Sequence, residues 1–164
     1  MNPADVLNYG HLHVLRTLED LNESDWQVGG VCGVWSVQDI LSHLISYELW
    51  LTEILAPFAK MSSEYMLMEQ KRVMGNDAFN EMQVTQRKGY TPAEIRQEYI
   101  ESCRYNLEVV APLIPQTTWS TNGTLPWYGS EYALDDFIVY TFYGHKREHC
   151  AQIEVFKDSL ERRQ

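Results

Sequence analysis

The sequence predicts an all-α fold, a four-helix bundle with long crossover connections. Three observations predict it. Apolar residues recur at helical spacing through four stretches of about 20 residues, each ~30 Å long as a helix. No stretch alternates with period two, so no strand is expected. The four stretches are separated by long connections over 58–90 and 116–131, which allow orders other than simple up-and-down.

The first helix starts at Asn2-Pro3-Ala4-Asp5. Asn2 caps, Pro3 fits the first turn, and Asp5 meets the positive end of the helix dipole. Its apolar stripe is Leu7, His11, Val14, Leu18 and Leu21, with His13 off the stripe. Gly29, Gly30 and Gly33 then make a loop that Trp35 closes. Ser36-Val37-Gln38-Asp39 is a capping box and opens the second helix, whose apolar residues run from Ile40 to Leu55. His43 lies on or beside that face. The connection 58–90 is expected to hold short helices near 64–72 and 76–88, with its methionines filling gaps. Thr91-Pro92-Ala93-Glu94 opens the third helix with cap, proline and capping-box glutamate. The fourth begins between Ser130 and Leu134. Its apolar face is Leu134, Phe137, Ile138, Phe142, Ile153, Phe156 and Leu160. Lys146, Arg147, Lys157, Asp158 and Glu161-Arg162-Arg163 are placed on its outward side.

The length of 164 residues suits one domain, and 13 basic against 23 acidic residues give a net charge of −10. That charge repels phosphate backbones, so nucleic acid is not an expected partner. Cys32, Cys103 and Cys150 are odd in number and widely spaced, which reads as free thiols in a reducing compartment. No signal peptide and no apolar run of ~18 residues is present, so no membrane partner is expected and the chain reads as cytoplasmic.

The chemistry lies in Gly144-His145-Lys146-Arg147-Glu148-His149. His145 and His149 are four apart, which stacks them on one helix face. They continue the line from Ile138 to Phe156 and so point inward. Two buried imidazoles on adjacent turns need partners, and one metal ion could serve both. His43 and His11 both qualify as the third ligand. Three histidines would leave coordination positions open, as catalytic sites do. The pattern also matches H-x-x-E-H, an inverted zinc-peptidase form, but such enzymes need a further acidic ligand well downstream. Glu148 is the candidate acid–base or orienting residue. Tyr47, Glu48, Asn80 and the Trp119–Tyr128 loop are candidate pocket residues.

Gly33-Val34-Trp35-Ser36-Val37-Gln38-Asp39-Ile40-Leu41-Ser42-His43-Leu44 resembles the motif that opens the second helix in the DinB-like (YfiT-like) superfamily. His145-x-x-Glu148-His149-x-x-Gln152-Ile153 resembles that superfamily's last helix, and Gly89-Tyr90-Thr91-Pro92-Ala93-Glu94 its third-helix start. The wording around Trp35 is also similar to the ClbS/DfsB branch. The resemblance implies a bundle in up-down-down-up order. It implies a divalent metal (Zn, Ni or Fe) on His43, His145 and His149, which selects His43 over His11. It further implies a small-molecule substrate, for some relatives with a low-molecular-weight thiol, and a homodimer.

Overall fold

The computed structural model describes residues 2–162; Arg163, placed on the outward face above, lies outside them. Among the described residues the secondary structure is helical, with one isolated bridge between Cys32 and Trp35 and no strand. The protein is all-α.

The longer helices begin where local chemistry says they should. Helix α1 (Pro3–Thr17) is capped by Asn2, whose Oδ1 accepts from the Ala4 N–H at 3.1 Å. Helix α2 (Val37–Leu55) starts on the Ser36/Asp39 capping box. Ser36→Ala is expected to lower stability by about 1 kcal/mol, read as a lower urea midpoint with unchanged slope. The crossover holds α3 (Met66–Met74) and α4 (Asn76–Thr85), close to the expected pair. Helix α5 (Pro92–Arg104) starts on the Thr91/Glu94 box. It continues through a π-helical segment, Tyr105–Val110, and a short turn, Ala111–Leu113. A four-residue α6 (Gln116–Trp119) interrupts the expected loop. Helix α7 (Leu134–Phe137), a second π-helical segment (Ile138–Tyr143) and α8 (Gly144–Glu161) follow one another without a break in helical backbone.

Helix α2 packs against α5 and α4, and α1 packs against α8 and the π segment before it. Two apolar clusters form the core. One gathers Leu7, Leu51, Leu55, Val110, Phe137 and Phe142. The other gathers Val14, Ile40, Leu44, Tyr99, Cys103 and Ile153. Along each long helix, buried polar residues separate the members of one cluster from those of the other: His11 on α1, Glu48 on α2, Asn106 after α5, Lys146 and His149 on α8. The core is thus cut by a polar layer. A buried polar group without a partner is costly, so this layer is where the fold commits residues to something other than packing.

No helix is long and apolar enough to cross a membrane among the described residues. All three cysteines are free, with Cys103 and Cys150 buried.

Candidate metal centre

His43 comes from the second turn of α2, whose start is fixed by the Ser36 cap. His145 and His149 come from the first turns of α8. The three rings meet. His145 Nε2 stands 2.9 Å from His43 Nε2 and 2.9 Å from His149 Nε2. The three ligand-capable nitrogens all lie within 4.8 Å of one another. His43 and His149 are buried and His145 is half-buried.

The surroundings hold each ring in place. His43 lies between Trp35 and Tyr47, at centroid distances of 5.1 and 4.7 Å. Tyr47 also covers His145 at 4.5 Å. Trp35 is itself anchored, its Nε1–H donating to Glu81 Oε1 of α4 at 2.8 Å. Gln152 Oε1 lies 2.8 Å from His149 Nδ1. If that nitrogen carries the proton, Nε2 turns its lone pair toward the other rings, as a ligand histidine's partner does. Gln152 is three residues after His149 on the same helix, so its spacing was the readable signal for this partner.

Electrostatics keep the cluster neutral. Burial, then the neighbouring imidazoles and Lys71, pull His43 down to about 2. Burial, His149 and the two lysines Lys71 and Lys146 pull His145 down to about 3. Burial also lowers His149, against the opposing effects of its Gln152 bond and the Glu148 charge. At neutral pH these are three uncharged imidazoles.

Neutral rings at these distances leave a deficit. An imidazole nitrogen presents either one proton or one lone pair in its plane. His145 Nε2 can therefore bond one neighbour at 2.9 Å, and it has two. A single cation removes the conflict, because all three nitrogens can direct lone pairs at it. Two ligands each ~2.1 Å from one ion stand about 3.0–3.4 Å apart, close to the spacing present. The donor set is all imidazole, which suits Zn, Ni, Fe or Cu. The residues fit a divalent metal.

The other candidates fall elsewhere. His11 is buried against Tyr99, at 5.4 Å between centroids, with its Nδ1 unpartnered. It is not in the cluster. Glu148 is exposed on α8 beside His149. Asn80 is half-buried with an unpartnered Oδ1. Trp119 is buried in the core, and Trp127 is exposed over Trp50.

Lys146 corrects an expectation. It was placed on the outward face of α8 but is only 3% exposed. Its Nζ forms an ion pair with Glu48 Oε1 at 2.7 Å, and both side chains are almost fully buried. Asn106 Nδ2 donates to the other oxygen of Glu48 at 3.1 Å and to its backbone carbonyl at 2.9 Å. Burial works against the charge on Lys146, but Cys103 and Glu48 outweigh it and its pKa rises. The π segment before α8 explains the misplacement. Leu134, Ile138, Phe142 and Lys146 recur every four residues, a spacing that overshoots an α turn and falls short of a wider π turn, so a helix that joins the two keeps them on one side. The unbroken four-residue step was the signal.

No curated protein and no solved structure matches the chain. A family match covers residues 10–130, which includes the His43 helix and its motif and ends before the helix of His145 and His149. That match spans well over half of the chain, and the three histidines complete the picture from the structural side. The chain belongs to the mycothiol maleylpyruvate isomerase N-terminal domain family, a DinB-like, thiol-related, metal-binding enzyme family.

Proposed function

We propose that His43, His145 and His149 hold one divalent metal ion, Zn, Ni or Fe, and that the protein is a metal-dependent enzyme acting on a small electrophile. The observation that carries this reading is the position of His145 Nε2, 2.9 Å from two other imidazole nitrogens that it cannot both bond. A bound metal would either hold a low-molecular-weight thiol as its thiolate, for transfer, or lower the pKa of a water, for hydrolysis. The family's name favours the thiol. Trp35 and Tyr47 exclude water from one side of His43 and fix its ring. Gln152 fixes His149. Glu148, exposed and next to His149 in the chain, is the acid–base candidate.

The packing of α2 on α5 and of α1 on α8 supports a single-domain four-helix bundle in up-down-down-up order, with α3 and α4 in one crossover. A homodimer belongs to the same reading and is carried by the family resemblance. The acidic charge speaks against nucleic acid, and the free thiols favour the cytoplasm.

The test is elemental analysis of protein prepared without chelator or a nickel-charged affinity tag. About one metal per chain is expected, with His43→Ala reducing it to a small fraction. Metal-free protein, with His43→Ala leaving activity unchanged, would end this reading. One observation favours a second one, a ClbS/DfsB-like hydrolase of strained rings, or a sequestration protein, that does not need the metal. An apolar cavity lies at Trp50 and Trp127, and none of the three histidines lines it. Activity that survives thorough chelation would select it.

A further inference from the structure

A cavity of about 530 Å³ opens between α2, α3 and the loop that carries Trp127. That volume suits a small organic molecule. Trp50, Trp127, Tyr65 and Met68 give it apolar walls. Two cations line it, and they differ. Arg72 is exposed and answered by Glu69, at 2.8 and 2.6 Å through two nitrogens. Lys71 is half-buried, and no carboxylate pairs with it among the described residues. Its one hydrogen bond runs to the Tyr47 hydroxyl, at 2.9 Å. Around it stand the rings of Tyr47, Trp50 and Phe79, with centroids 4.6, 5.0 and 5.1 Å from Nζ.

An ammonium has three protons to donate. One is used here, and aromatic faces offset the charge only in part. A half-buried cation lining an apolar cavity is complementary to an anion that brings its own apolar surface. We propose that this cavity binds a small ligand with a planar apolar body and a carboxylate, the body lying on Trp50 and Trp127 and the carboxylate accepting from Lys71. This deepens the functional reading by naming a substrate class, and it rests on residues other than the three histidines. The two sites share a wall. Tyr47 accepts from Lys71 at its hydroxyl and covers His43 and His145 with its ring. A ligand anchored on Lys71 is held one phenol ring away from the proposed metal.

The experiment is calorimetric titration with 2-naphthoate and its neutral partner 2-naphthamide, on chelator-treated and on metal-loaded protein. The carboxylate is expected to bind at least about tenfold more tightly than the amide, the size of one hydrogen bond to a charged group. Lys71→Met should abolish that preference, Lys71→Arg should keep it, and Trp127→Ala should weaken both probes alike. Circular dichroism checks that each variant is folded. Equal binding of the two probes, no binding of either, or a preference that survives in Lys71→Met would overturn the proposal. So would a preference lost on chelation, which would put the carboxylate on the metal and leave the three-histidine reading standing. A chelator-insensitive preference in a protein that takes up no metal would uphold the cavity and end the metal reading.

Discussion

Lys146→Met is expected to cost about 3–5 kcal/mol of stability, because it leaves the Glu48 carboxylate buried without its cation. Glu48 is 2% exposed, and its remaining side-chain partner is the Asn106 amide. The partner experiment separates the cost of breaking the pair from its net contribution. In Glu48→Leu/Lys146→Met both charges are gone, and most of the lost stability should return, since apolar residues of similar volume often replace a buried pair at little cost. Asn106 keeps the Glu48 backbone carbonyl as an acceptor in that double variant. Urea unfolding of the two single variants and the double variant gives the coupling energy. Equal losses in the single and double variants would mean that the pair is not what the layer depends on.

The second large effect is acid unfolding of chelator-treated protein. His43 and His145 stand near 2 and 3 in the folded chain, and His11 near 4, against 6.5 when unfolded. Burial is the first cause in each case. Below pH 6.5 the unfolded chain therefore binds protons that the folded chain refuses, and stability falls as pH falls. The loss begins at the unfolded value and continues down to the folded ones. Each histidine contributes roughly 1.4 kcal/mol per pH unit in that window. Three acting together give about 4 kcal/mol per unit between pH 6 and 4, enough to unfold a domain of ordinary stability. Thermal or urea melts across that range measure it, and His43→Leu should flatten the slope by one histidine's share. An unchanged slope in that variant would show that His43 is not held neutral by its surroundings.

Much of this was legible because it is local. Asn2, Ser36 and Thr91 start their helices through bonds to backbone three residues away or fewer, so the chain announces them. The His145/His149 spacing likewise needs one helix and nothing else. What stayed hidden depends on a second element. Helix α3 has no cap of its own; Glu53 of α2 accepts from the Leu67 and Met68 N–H groups, each at 2.9 Å. That contact, 14 and 15 residues distant, brings Lys71 over Trp50, and no local pattern implies it. The Glu48–Lys146 pair spans nearly 100 residues and was masked further by the widened turn before α8.

That widened turn has a consequence for how this chain can change length. Between Ile138 and Tyr143 the helix houses one residue more per ring than α counting provides. Losing a residue there restores ordinary pitch and leaves Gly144–Glu161 facing as before. The same loss just after Gly144 would swing everything behind it by about 100° and turn His149 away from its neighbours. Among homologous chains, single-residue gaps should therefore collect in this short stretch and be absent from the turn after it.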